Sequence, residues 1–259
     1  MAKLSLKERI ASGERVNGIF IVEMMTPNWG TLLDRTGCDF AVFDLEHGRF
    51  SVNDLMDVLP SFQHSRCSAL VRVPTTSREY FQRPIDFGVA GFVVPMVDTA
   101  EQARQCVEFL RYPPKGRRGM GGSRLACRVF DSEPERSTDD NTLLAIQIET
   151  ERGFANLDEI LAVDGIDMVF IGNTDLSSFL QCPNDLIQGE LRDKMELIIR
   201  KARARGIAIG GFMDCTRAIK EFGEQGLSFV AMSVDCDLIV SGSQTMHGLL
   251  PPNWKTERR

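Results

Sequence analysis

Four times in 259 residues a glycine stands just before a short apolar run that ends at a polar or turn-forming residue. The copies are Gly37–Asp44, Gly88–Pro95, Gly165–Gly172 and Gly226–Asp235. Glycine suits the position after a helix, where the chain turns into the next strand through positive φ. Four more apolar runs alternate with these: Gly18–Val22, Ser68–Val73, Leu143–Ile148 and Ile207–Phe212. Helix-length segments with apolar residues three and four apart separate most of the eight runs. They are Val52–Phe62, Ala100–Leu110, Leu157–Leu161, Leu191–Ala204 and Thr216–Phe222, with Ser51, Thr99 and Asp214 as N-cap residues. Eight strands alternating with helices predict an α/β chain folded as one (β/α)₈ barrel over residues 1–259. An open doubly wound sheet is the rival, but no glycine-rich dinucleotide turn follows the first strand.

A net charge of -6 argues against an electrostatic nucleic-acid binder. The seven cysteines are scattered, with no Cys-x-x-Cys, which speaks for a reducing compartment and against paired-thiolate zinc. Met1–Ile10 reads as an amphipathic helix start, and Gly18–Val22 is too short to span a bilayer. A cytoplasmic protein with no membrane partner is expected. Residues 111–142 read as a long loop near the active-site face, a lid or a subunit contact, and 251–259 as an exposed tail. The arginines 117, 118, 124 and 128 read either as a solvated face or as a lure for an anionic substrate.

Chemistry in such a barrel belongs at the C-terminal strand ends. Those ends carry Asp44-Leu45-Glu46-His47, Arg72, Gln147 with Glu149, Gly172-Asn173-Thr174-Asp175, and Ser233 with Asp235. In an extended chain Leu144, Ile146 and Ile148 share one face and Ala145, Gln147 and Glu149 the other. A carboxylate on a buried face needs a partner. Glu149 and Asp175, with Gln147 beside them, offer a hard oxygen site with too few ligands to enclose an ion. That pattern suits Mg²⁺ or Mn²⁺, which keep waters and take substrate oxygens. Arg72 beside such a metal suits a 2-oxo acid, gripped by its carboxylate. His47, three residues after Asp44, is a candidate for moving a proton. The plainer alternatives are that Asp44 caps a helix and that Glu149 pairs with Arg72 without a metal.

These residues resemble a known family. Phe43-Asp-Leu-Glu-His47, Leu70-Val-Arg-Val-Pro74, Val94-Pro-Met-Val97, Arg111-Tyr-Pro-Pro114 with Gly116–Gly119, Gln147-Ile-Glu-Thr150 and Phe170-Ile-Gly172 with Asp175-Leu-Ser177 follow in the order of the HpcH/HpaI aldolases. The resemblance runs from about residue 18 to about residue 240. It implies a barrel whose last helix swaps between subunits of a trimer-of-dimers hexamer. It also implies a divalent metal (Mg²⁺, Mn²⁺ or Co²⁺) on Glu149 and Asp175. Arg72 would stabilise a pyruvate-type enolate, and His47, oriented by Asp44, would act as acid and base. Gln147 would contact the oxo acid, and the backbone at Gly172 would receive its carboxylate. Asn173-Thr174 and Leu45 replace the family's usual Pro-Ala and Gly, which alters the carboxylate pocket and adds bulk beside the base. The expected reaction is retro-aldol cleavage of a 4-hydroxy-2-oxo acid to pyruvate and an aldehyde. Condensation of oxaloacetate with an acyl-CoA is the first alternative, and a non-catalytic metabolite-binding barrel the second.

Overall fold

The computed structural model of the chain describes residues 4–119 and 141–251. Eight parallel strands close into a barrel in sequence order. They are β1 (Val16–Ile21), β2 (Phe40–Asp44), β3 (Ser68–Arg72), β4 (Gly91–Val94), β5 (Leu143–Ile148), β6 (Met168–Ile171), β7 (Ala208–Phe212) and β8 (Leu227–Val234). The described helices are α1 (Leu6–Ala11), α2 (Trp29–Leu33), α3 (Leu55–Val58), α4 (Glu79–Asp86), α5 (Ala100–Leu110), α6 (Glu151–Ala155), α7 (Leu157–Leu161), α8 (Asn173–Phe179), α9 (Glu190–Ala204), α10 (Thr216–Gln225) and α11 (Asp235–Gly248). The glycines that open the four repeated runs all take positive φ: Gly37 at 80°, Gly88 at 95°, Gly165 at 97° and Gly226 at 120°. Each supplies the turn from helix to strand that a β-carbon would strain.

Period-two alternation divides the core in two. Leu144, Ile146 and Ile148 pack outward among the helices, while Leu143 and Ala145 join the barrel interior. Gln147 and Glu149 therefore continue the inward row toward the C-terminal end of β5. Phe20, Phe40, Phe170 and Phe229 fill the interior, with Phe40 and Phe229 stacked at 3.7 Å between centroids. Gly18 makes that stack possible, because a β-carbon there would stand 2.5 Å from the Phe40 ring. At the N-terminal end α1, held by a Ser5–Glu8 capping box, adds Leu6 and Ile10 to the same cluster.

Several local expectations need correction. Val52–Phe62 is not one helix: α3 gives way to a 3₁₀ turn at Leu59–Phe62, because Pro60 has no N–H for the α ladder. Thr99 caps α5 with Gln102 as expected, but Asp214 caps nothing, since Cys215 holds the N-cap position of α10 without a side-chain bond. Ser51 does not cap α3 and instead donates to Asp54, which stands at the N-cap position. Arg117 pairs with Glu108. Arg118 is no solvated or steering cation: it is buried, bonds Asp86 at 2.9 Å and lies 4.6 Å over the Tyr112 ring. Arg124, Arg128 and Cys127 lie outside the described residues, as do most of the 111–142 loop and all but the first residue of the tail. Among the described residues no helix is long and apolar enough to cross a membrane.

Candidate active site

The site grows from one buried pair. Asp44 closes β2 opposite Arg72 at the end of β3 and is fully buried. Its Oδ1 accepts from Arg72 Nε at 2.9 Å and its Oδ2 from Arg72 Nη2 at 2.5 Å. This two-pronged pairing fixes the guanidinium plane. Burial works against the Arg72 charge, but the bonds and charge of Asp44 outweigh it and hold its pKa above the usual value. The guanidinium lies 5.0 Å from the centre of the Phe20 ring, inside the barrel mouth.

Asp44 also accepts the backbone N–H groups of Glu46 at 3.0 Å and His47 at 3.3 Å. It thus pins the turn after β2 and does not orient the His47 ring. That ring is 65% exposed, and its Nε2 is 3.8 Å from Glu46 Oε2. Glu46, to which the sequence reading assigned no role, faces inward with Oε2 3.4 Å from Arg72 Nε. Burial pushes its pKa up to about 7; Arg72 opposes the rise, while Asp44 and Asp175 add to it.

Glu149 follows β5 and is 2% exposed. It does not pair with Arg72. Its Oε1 accepts the Met96 N–H at 2.7 Å, and its Oε2 accepts from Gln147 Nε2. Burial pushes its pKa up to about 7 against those two bonds, with Glu46 and Asp175 adding repulsion. Gly172 lets β6 end against this pair, because a β-carbon there would lie 2.6 Å from Glu149 Oε2 and 2.9 Å from Gln147 Nε2. Asp175 stands in the first turn of α8, and the neighbouring Asn173 is buried, with Nδ2 3.3 Å from Asn184 Oδ1.

A cavity of about 210 Å³ opens between these groups. Arg72, Gln147 and Gly172–Asp175 form its polar side; Phe20, Phe170 and Phe212, with Val22 and Val234, form its apolar side. The expected residues Asp44, Arg72, Gln147, Glu149, Gly172, Asn173, Thr174 and Asp175 are brought together, while the His47 ring stays at the edge. The aromatic side was not singled out in the sequence, although Phe20 falls on the inward row of β1. A larger hollow, about 490 Å³, lies at the opposite end against α1 and the starts of β6 to β8. Among the described residues its lining holds a single acid, Asp167, with Lys7, Arg15 and Arg203.

Does this end fit a divalent cation? Among the described residues no three metal-binding side chains form a ready cluster. The carboxylates Glu46, Glu149 and Asp175 nevertheless repel one another. Gln147 Oε1 is buried without a hydrogen-bond partner. An unpaired buried oxygen beside crowded carboxylates is costly, and a partly hydrated dication would satisfy both.

The HpcH/HpaI aldolase/citrate lyase profile matches residues 9–242. The chain is 32% identical to a hydroxypyruvate/pyruvate aldolase of Delftia acidovorans, over 90% of this chain and 87% of the relative. It is 35% identical to a 2-keto-3-deoxy-L-rhamnonate aldolase of Escherichia coli K12, over 88% and 86% of the two chains. The crystal structure of an HpcH/HpaI aldolase from Desulfitobacterium hafniense superimposes with a TM-score of 0.86 at 26% identity, covering 96% of this chain and 99% of that one.

Proposed function

Because the chain belongs to the HpcH/HpaI aldolase/citrate lyase family and is a carbon–carbon lyase of the aldolase type, we propose that it cleaves a 4-hydroxy-2-oxo acid to pyruvate and an aldehyde through a pyruvate enolate. The observation that carries this reading is the meeting of a fixed guanidinium, crowded acids and an unpaired amide oxygen in one barrel mouth.

Glu149 and Asp175, with Gln147 adjoining, would hold a divalent cation, Mg²⁺, Mn²⁺ or Co²⁺. When bound, it would polarise the C2 carbonyl and offset the charge of the enolate. Arg72, held flat by Asp44, donates to the oxygens of the oxo acid and stabilises the charge that builds on the C2 oxygen. The C4 hydroxyl loses its proton toward His47, the C3–C4 bond breaks, and its electron pair passes into the C2–C3 enolate. The aldehyde leaves with C4 as its carbonyl carbon. A proton returned to C3 then gives pyruvate. The N–H groups about Gly172, with Asn173 and Thr174, face the substrate carboxylate. Gln147 contacts the oxo acid.

The last helix supports an oligomer. In α11 only Asp235 is buried, while Leu238, Ile239 and Val240 are 46%, 57% and 52% exposed and Met246 is 67% exposed. Such a face calls for cover, and a second copy of the chain, in a swapped trimer-of-dimers hexamer, would supply it. Cys38, Cys106, Cys182, Cys215 and Cys236 are free thiols, which supports the cytoplasm as the compartment.

The test is pyruvate release from a panel of 4-hydroxy-2-oxo acids, with and without Mg²⁺ or Mn²⁺, coupled to lactate dehydrogenase. Metal-dependent release supports the reading. No release from any member of the panel, with the protein folded, would contradict it.

A further inference from the structure

At the root of α11 lies a buried carboxylate to which the mechanism gives no role. Asp235 is 1% exposed. Its two oxygens accept the successive backbone N–H groups of the segment after β1: Val22 at 3.2 Å, Glu23 at 3.1 Å and Met24 at 2.7 Å. The N–H of Cys236 is a fourth donor, at 2.9 Å. Successive amides turned toward one point form a nest for an anion, and here a side chain of the same molecule occupies it.

That segment is part of the active-site wall. Val22 lines the cavity beside Val234, the residue that precedes Asp235. The Val22 carbonyl accepts the N–H of Arg49 at 3.2 Å, at the far end of the turn that carries Glu46 and His47. The Met24 carbonyl accepts from Trp29 Nε1 at 2.8 Å. Asp235 therefore ties the end of β8, the end of β1 and the turn after β2 at one point, beside the cavity and without touching its contents.

We propose that Asp235 is a positioning residue: its carboxylate sets the Val22–Met24 segment, and through it the wall against which the oxo acid is bound. This rests on the assignment of the cavity as the aldolase site. A neutral amide cannot replace the carboxylate well, since it presents one acceptor oxygen and turns a donor against the remaining N–H groups. Because Val22 forms a wall and takes no part in bond breaking, the loss falls on substrate binding more than on turnover.

The test compares wild type with Asp235→Asn and Asp235→Glu in full-length protein, after size-exclusion chromatography shows that all share one oligomeric state. Steady-state kinetics with the best 2-oxo acid substrate are combined with amide hydrogen exchange of residues 22–24. In the Asn variant KM is expected to rise about tenfold with kcat within about threefold, and the three amides to lose their protection. The Glu variant keeps the charge one methylene further out and is expected to recover part of the KM. Unchanged KM, or a fall in kcat at constant KM, overturns the proposal. If the Asn variant does not fold, the Glu variant decides: a rise of two- to fivefold in KM supports the proposal and no rise refutes it. A wild-type protein without aldolase activity would instead defeat the functional reading on which it stands.

Discussion

The two ends of the barrel treat their charges in opposite ways. At the N-terminal end the acids are matched. Asp167 meets Lys7 at 2.9 Å and Arg111 at 3.3 Å and accepts the Leu144 N–H at 2.8 Å. Asp39 meets Arg9 at 2.6 Å and accepts from the backbone and side chain of Asn17. At the C-terminal end Asp44 is matched by Arg72, and Asp235 by four backbone N–H groups. Glu46 and Glu149 are pushed up to about 7, first by burial; Asp175 adds repulsion to both, Asp44 to Glu46 and Glu46 to Glu149. The contrast separates groups that hold the fold from groups held in readiness by it. The matched end stabilises; the unmatched end carries strain of the kind a bound cation and substrate would relieve.

The contrast breaks first at Arg72. Arg72→Ala is expected to lower kcat/KM by about 10³-fold, because it removes the fixed donor to the developing enolate. Coupled pyruvate release measures it, and retention of near-wild-type turnover would remove Arg72 from the mechanism. Glu149→Gln sharpens the contrast, because it is expected to act in opposite directions on function and fold. Activity should fall by about 10²-fold, while metal-free protein at pH 7.5 gains about 1–2 kcal/mol as a buried repulsive charge is lost. Denaturant titration and kinetics on the same preparation test both halves.

Asp167→Asn supplies the mirror case at the other end. It leaves Lys7 and Arg111 without their shared carboxylate and is expected to cost about 1–3 kcal/mol of stability, with kcat/KM within about twofold. A large loss of activity without loss of stability would undo the division between the ends. The smallest effect is a pH dependence. Glu149 binds its proton more tightly in the folded state, so folding is favoured below its ordinary carboxyl range. That advantage is lost as pH rises from about 4.5 toward about 7. The wild-type melting temperature of the metal-free protein should therefore fall relative to Glu149→Gln across that window. Parallel curves would show that Glu149 is not perturbed.

The barrel was legible because each strand carries its own apolar run and a glycine turn, both local signals. Leu143–Ile148 shows this best: its alternation already separated Gln147 from Ile146. The catalytic end was legible where a residue type is costly on a buried face, as for Glu149. Four features were not. Glu46 matters through its approach to Arg72, and Asp235 through amides more than two hundred residues away in sequence; spacing along the chain holds neither fact. The role of Asp44 was misjudged for the same reason, since its partner is the guanidinium across the β2–β3 register and not the nearby imidazole. The extent of α11 escaped because Leu238, Ile239 and Val240 are consecutive and face no core within the chain, so no period marks them.

Exchange of the C3 protons of pyruvate for deuterium, followed by proton NMR in D₂O with Mg²⁺ and no aldehyde, tests the enolate cradle most directly. Wild type is expected to wash out the methyl signal, and to stop doing so with EDTA, with Glu149→Gln and with Arg72→Ala. Exchange that persists undiminished in Arg72→Ala, or without the metal, would contradict an enolate held between a dication on the unmatched acids and the fixed guanidinium.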